Sequence, residues 1–288
     1  MSDKIKIAAA QIEPRLTKID ENLNKILAAA KEAANRSADL VVFPECCLTG
    51  YIFASRQEAM PFAESIPGPS TQKVLSLCQE LNLYIVFGLL ERDNGKLFNA
   101  AVLAGPQGVI WKYRKNHLPF QGVDRFVDPG NEPFRVYQTT IGNIGLQICY
   151  DIVFPESSRV MTLLGADIIV LSTNFVKRIC DNLAYVINTR AIENKVHVVS
   201  CNRVGVERGN LFGGLSKIVS ASGHILAVAS PDREEIIYGE VRLESARQKR
   251  SIFSPGEFEV DQINDRRPEL YGLITKPKQL GGKDFCLT

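Results

Sequence analysis

Residues 38–46 (ADLVVFPEC) return, little altered, as residues 166–174 (ADIIVLSTN). Each is a short aliphatic run after an Ala-Asp pair, the pattern of a strand buried on both faces. Pro44, which cannot donate to a strand ladder, closes the first. Around each run the sequence predicts a strand–helix–strand unit, so the two halves read as a pseudo-repeat. Strands are predicted at 4–12, 39–43, 84–91, 97–104 and 108–113, and then at 144–150, 166–174, 197–203, 216–227 and 234–243. Helices are predicted at 19–35, with Ile19, Leu23, Ile26, Leu27 and Ala30 on one face, and at 70–82, 155–164 and 181–194. Pro155 suits a first helical turn. Asp93-Asn94-Gly95 marks a hairpin and Ser222-Gly223 a turn. Strands alternating with helices argue for an α/β protein, and the hairpins make its sheets mixed. No Pro- or Ser-rich linker divides residues 1–288, which read as one domain with a C-terminal extension from about residue 270.

Composition limits the functions open to this fold. With 34 Lys and Arg against 32 Asp and Glu, the net charge is 34 − 32 = +2. Nothing in that balance calls for nucleic acid or an anionic membrane. The longest uncharged stretch, 97–111, is broken by Gly105-Pro106 and is too short to span a bilayer. The N-terminal residues do not read as a signal peptide. Seven cysteines without a C-x-x-C pair, and only three histidines, support neither a disulfide framework nor a zinc site. Free thiols in this number suit the cytosol. There is no G-x-G-x-x-G after a strand and no G-x-x-x-x-G-K, and Gly281-Gly282-Lys283 lacks the strand–loop–helix context. No cofactor or metal is expected.

Ligands of open α/β folds bind beyond the carboxyl ends of the strands. Glu45 follows strand 39–43, Lys115 follows strand 108–113, Cys149 ends strand 144–149, and Asn174 ends strand 167–173. Taken singly, each has a plain structural reading: a solvated glutamate, a wet charge run, a core cysteine. Together they offer a base, a positive charge and a nucleophile, the set that acyl transfer requires. Of the histidines, only His117 rivals Glu45 as a base, and it reads as a structural or supporting residue.

Three ordered segments carry a resemblance. Phe43-Pro44-Glu45, then Tyr113-Arg114-Lys115-Asn116-His117-Leu118, then Cys149-Tyr150-Asp151 with Phe154-Pro155-Glu156, resemble the signatures of the nitrilase superfamily of carbon–nitrogen hydrolases. Residues 190–194, Asn202, 213–216 and 266–269 extend the likeness. It implies a four-layer α-β-β-α sandwich with two mixed sheets, assembled as a homodimer or larger homo-oligomer. It also implies Glu45 as general base, Lys115 as stabiliser of the tetrahedral intermediate and Cys149 as nucleophile, with the Tyr150 backbone N–H sharing the oxyanion. A positive charge such as Lys115 favours a thiolate; alternatively Glu45 takes the thiol proton as attack begins. Many relatives carry a second glutamate shortly after the lysine. Here Asp124 is the nearest carboxylate, and it reads equally as a loop residue or as its substitute. Tyr51, Asp124, Tyr150, Phe154, Asn174 and Phe175 are candidate substrate contacts.

The resemblance implies hydrolysis of a small amide or N-carbamoyl compound in the cytoplasm. Tyr150-Asp151 after the cysteine looks like the amidase and carbamoylase branches, since true nitrilases tend to carry Trp-Glu there. A nitrile hydrolase, an acyl transferase and a non-catalytic binding protein on the same scaffold are the competing readings.

Overall fold

The structure is a computed structural model and describes residues 3–108 and 110–276. From 277 onward the expected extension, with Gly281-Gly282-Lys283, lies outside the described residues. The chain divides into two units, Met1–Gln248 and Lys249–Thr288.

The first half of the first unit runs β1 (Lys4–Gln11), α1 (Ile19–Asn35), β2 (Leu40–Val42), a single helical turn α2 (Arg56–Ala59), α3 (Pro69–Leu81), β3 (Tyr84–Asp93), β4 (Lys96–Ala104) and β5 (Ile110–Arg114). The second half runs β6 (Val136–Thr139), β7 (Gly142–Ile148), α4 (Pro155–Leu163), β8 (Ile168–Thr173), α5 (Lys177–Asn194) and β9 (His197–Asn202). It continues with the two-residue strands β10 (Val206–Glu207) and β11 (Asn210–Leu211), then β12 (Lys217–Val219), β13 (Ile225–Val228), β14 (Glu235–Arg242) and α6 (Leu243–Arg247).

Two six-stranded sheets result, ordered β14-β1-β2-β3-β4-β5 and β13-β12-β9-β8-β7-β6. Read from β14 and from β6, both follow one rule: an antiparallel pair, two parallel pairs, then two antiparallel pairs. The pseudo-repeat is thus a repeat of sheet topology, and its Asp residues show why it persists. Asp39 Oδ2 accepts the Lys6 N–H at 2.8 Å, and Asp167 Oδ2 accepts the Asn143 N–H at 2.9 Å. In each half the aspartate thus ties the entry of the buried strand to its parallel neighbour.

Side-chain alternation along the strands sets the layers. Leu40 and Val42 join Ile7, Val86, Ile144, Ile168 and Val170 in the core between the sheets. Val41 and Phe43 point the other way, onto Leu23, Ile26, Val74 and Cys78 of α1 and α3. Met161 of α4 and Ile187 and Ala191 of α5 cover the second sheet. The fold is the expected α/β sandwich of two mixed sheets between helices. The sheets are also pinned directly, by Ser172 Oγ donating to the Phe43 carbonyl at 2.8 Å.

Several expectations shift at element ends. The helix predicted at 181–194 starts at Lys177, because Val176 is extended and releases the chain into a helix immediately. The strand predicted at 216–227 is two strands, β12 and β13, folded back at the Ser222-Gly223 turn. Strand β7 stops at Ile148, so Cys149 lies in the 3-10 turn Cys149–Val153 and not within the strand. The second unit contains a hairpin absent from the sequence prediction, β15 (Arg250–Ser254) with β16 (Phe258–Asp261).

Candidate active site

Glu45 is positioned by backbone crowding. Past Pro44 the chain turns through Cys46, whose φ of 47° is left-handed. This turn lies directly on β3 at Gly88, where a Cβ would meet the Cys46 nitrogen at 2.4 Å and the Pro44 oxygen at 2.8 Å. Only glycine admits that approach. The Glu45 side chain is then fully buried, with Oε1 accepting from Asn99 Nδ2 at 2.7 Å and from Lys115 Nζ at 2.6 Å. Its other oxygen, Oε2, is buried with no protein partner.

Lys115 stands one residue past β5, and its N–H still pairs with the Asn99 carbonyl at 2.9 Å. Its ammonium donates to Glu45 and also to Asp124 Oδ2 at 2.6 Å. Asp124 comes from the 3-10 turn Gly122–Arg125 and accepts from Tyr51 Oη at 2.8 Å and Asn99 Nδ2 at 2.9 Å. Gly122, at φ 51°, leaves room for the Tyr51 ring, which a Cβ there would approach to 2.4 Å. Glu207 Oε1 fixes the other end of Tyr51 by accepting the N–H groups of Tyr51 and Ile52 at 2.8 and 2.6 Å.

Cys149 also has left-handed backbone, with φ 47°. Such a conformation costs a non-glycine residue about 1–3 kcal/mol and persists only where its surroundings impose it. Asp151 is the constraint. Its Oδ2 accepts the Ile148 N–H at 2.9 Å and Tyr113 Oη at 2.8 Å, and its Oδ1 lies 2.7 Å from His117 Nδ1. From α5, Arg190 holds the far side of the turn, donating to the carbonyls of Ile152 and Val153, each at 3.0 Å. His117 stacks on Phe154 at 3.9 Å, and Phe154 meets Tyr150 edge-on at 5.1 Å.

The electrostatics follow from burying one ammonium with two carboxyl groups. Burial raises the Glu45 pKa; Lys115 pulls it down and Asp124 pushes it up, for a net rise. Burial works to discharge Lys115, but Asp124, Glu45 and Cys149 together hold its pKa well above the ordinary lysine value. Burial and the Glu45 charge lift the Cys149 thiol well above its usual range, and the pull of Lys115 and a backbone hydrogen bond from Asn174 do not offset them. That direction is the one expected where a neighbouring carboxylate takes the thiol proton as attack begins.

Among the predicted residues, Glu45, Lys115, Asp124 and Tyr51 form one buried hydrogen-bonded cluster, and Cys149 lies within range of its charges. Asn174 touches the sulfur through its backbone. Tyr150 and Phe154 line the His117 side and do not join the cluster's hydrogen bonds. Phe175 is a core side chain. Sequence reasoning did not single out Asn99 or Glu207, and it read Asp151 only as part of the motif after the cysteine, without a role. Asn99 was detectable as the lone polar side chain inside the apolar strand 97–104; Glu207 carries no comparable signal. Among the described residues no group of three or more His, Cys, Asp or Glu side chains is arranged to hold a metal ion.

A nucleophilic sulfur, an adjacent carboxylate and a fixed ammonium can together attack an acyl carbon and stabilise the charge that develops. The family description "Carbon-nitrogen hydrolase" matches residues 6–251. A Pyrococcus abyssi protein named nitrilase is 38% identical over 272 residues, 93% of this chain and 99% of that protein. An (R)-stereoselective amidase of a Pseudomonas species is 31% identical over 274 residues, 94% of this chain and 95% of that protein. A crystal structure of a carbon–nitrogen hydrolase from Helicobacter pylori G27 superposes with a TM-score of 0.86 at 25% identity, over 96% of this chain and 99% of that one.

Proposed function

The chain belongs to the carbon–nitrogen hydrolase family, and we propose that it hydrolyses a small primary amide or N-carbamoyl compound through a thioester on Cys149. The observation that carries this reading is the division of labour on Glu45. Oε1 is committed to Asn99 and Lys115, while the buried Oε2 has no partner within the protein. An unsatisfied buried acceptor favours a ligand that brings a donor. A thiol, an amide N–H and an attacking water are all donors.

Glu45 takes the thiol proton as the Cys149 sulfur bonds to the amide carbon. The carbonyl oxygen becomes an oxyanion facing the Lys115 ammonium and the Tyr150 N–H. The carbon–nitrogen bond then breaks, the nitrogen leaves with the proton held by Glu45, and a thioester remains. Water attacks the thioester, Glu45 takes its proton, and collapse returns the proton to the sulfur with release of the carboxylic acid. Asp124 and Asn99 keep Lys115 charged and Glu45 aimed. Every proton gained by Glu45 is passed on within the cycle, so no cofactor is needed.

A second reading is nitrile hydrolysis, favoured by the relative named nitrilase. A nitrile offers no N–H to the free Glu45 oxygen, which ranks it below the amide. Ammonia release measured over a panel of amides, N-carbamoyl compounds and nitriles separates the two: turnover of amides supports the proposal, and turnover of nitriles alone overturns it. We also propose a homodimer or larger homo-oligomer, supported by the exposed apolar side chains Leu163 at the end of α4, Leu164 just past it and Tyr185 on α5. A single monomeric species in analytical ultracentrifugation overturns that assignment. No helix among the described residues is long and apolar enough to cross a membrane.

A further inference from the structure

Asn174 presents an unusual balance of bonds. It follows β8 directly, its backbone hydrogen-bonds the Cys149 sulfur, and its residue is 2% exposed. Yet both Oδ1 and Nδ2 of its carboxamide are buried without a partner in the protein. A buried amide left wholly unpaired costs several kcal/mol unless a ligand completes it. The segment is not free to turn away. Asn202 clamps the next residue on both sides, accepting the Phe175 N–H at 2.8 Å and donating to the Phe175 carbonyl at 3.2 Å. Thr173 Oγ1 takes the same N–H at 3.1 Å. The carboxamide is therefore a buried, unpaired donor–acceptor group on a residue whose backbone is fixed beside the nucleophile, and it is used by none of the proton transfers above.

Resting on the amide-hydrolase reading, we infer that Asn174 determines specificity by pairing with an uncharged donor–acceptor group on the acyl side of the substrate, such as a second carboxamide or a ureido group. Glu45 and Lys115 serve the scissile group, which leaves Asn174 for what lies next to it. An uncharged partner follows from the local charge: two carboxyl groups face a single ammonium in a fully buried cluster, so a further anion beside them is repelled. A carboxamide can both donate and accept, and so can pair with a second carboxamide through two hydrogen bonds.

Malonamide and 3-methylbutanamide test this directly. They have the same number and connectivity of heavy atoms, and one replaces the carboxamide of the other with an isopropyl group. The wild-type enzyme is expected to prefer malonamide by roughly 10- to 100-fold in kcat/KM, the discrimination typical of a site built to hydrogen-bond its substrate. Asn174→Ala should shrink the ratio to about threefold or less, and Asn174→Leu, similar in shape but apolar, should invert it. A thermal melt and the rate of Cys149 alkylation identify a variant that has merely unfolded; Asn174→Ser then takes its place. The ratio is also read without turnover, as the amide concentration that halves alkylation of Cys149 by iodoacetamide. Absence of hydrolysis with preserved malonamide selectivity in that protection assay contradicts the proposed function and upholds the role of Asn174. A ratio that stays constant across wild type, Asn174→Ala and Asn174→Leu, by either readout, overturns it.

Discussion

Asp124 Oδ2 lies 2.6 Å from Lys115 Nζ, the same distance at which Glu45 Oε1 meets that ammonium from the other side. The carboxylate of uncertain standing in the sequence is therefore a full member of the buried cluster, and Tyr51 and Asn99 hold it against the lysine.

Replacing Asp124 separates charge from packing. Asp124→Asn keeps the shape and removes the group that does most to keep Lys115 charged. A loss of roughly 10²-fold in kcat is expected, in line with weakening one oxyanion-stabilising group. Asp124→Ala also removes the buried pair with Lys115 and leaves the Tyr51 hydroxyl only the Gln121 carbonyl at 3.2 Å, and should cost about 3–5 kcal/mol of stability, as for breaking a buried charged pair. Steady-state kinetics and denaturant unfolding measure the two effects.

The pH profile should be one-sided. Burial raises Glu45 above its ordinary 4.5, so the folded protein holds this proton more tightly than the unfolded chain. The contribution of Glu45 to stability is complete below pH 4.5 and is lost as pH rises through the higher folded value. Catalysis needs the carboxylate, so kcat/KM should rise through that same value. Both Lys115 and Cys149 are raised, so no alkaline decline is expected below the ordinary thiol value of 9.0. In Lys115→Met, the acid limb should move to higher pH, because Lys115 pulls Glu45 down. A profile of kcat/KM against pH for both proteins checks the sign.

Gly88→Ala should damage the site from a distance. The new Cβ meets backbone atoms of Pro44 and Cys46 rather than a flexible side chain. The turn that aims Glu45 must move, at a cost of about 1–3 kcal/mol for overpacking. A fall in kcat larger than any change in KM, together with a lower Tm, is the expected outcome.

Asp151→Ala should loosen the turn that presents the nucleophile. It leaves the Ile148 N–H and the Tyr113 hydroxyl, both buried, without their acceptor. The turn at Cys149 then keeps only the Arg190 bonds on its far side, and reaction of Cys149 with iodoacetamide should lose its selectivity over the other buried cysteines. Peptide mapping after limited alkylation gives this directly.

Much of the architecture was legible because burial writes itself into strand composition. The helix over 19–35 and the strands around 40 and 168 follow from apolar periodicity alone, and Pro155 marks the start of α4. The two sheets themselves were implied only by the family resemblance, while a repeat of strand–helix–strand units was visible in 38–46 and 166–174. The hairpin over 250–261 was not, since its strands bury little and carry no clear alternation. In the site, Glu45, Lys115 and Cys149 drew attention by residue type at strand ends, and the family resemblance supplied their expected roles. Asn99 and Glu207 escaped, and the role of Asp151 with them, because their work is to satisfy neighbours distant in sequence, such as Glu45 54 positions away from Asn99. The upward push on the Cys149 thiol was likewise invisible: it comes from burial and the Glu45 charge acting against Lys115, which no spacing encodes.

The thioester itself is the quantity to measure. An amide that is turned over should be mixed with the enzyme, quenched in acid during turnover, and digested for peptide mass spectrometry. The account predicts the acyl mass on the peptide containing Cys149 and no turnover in Cys149→Ala. Ammonia release that continues in Cys149→Ala, or an acyl group found on a different residue, would contradict it.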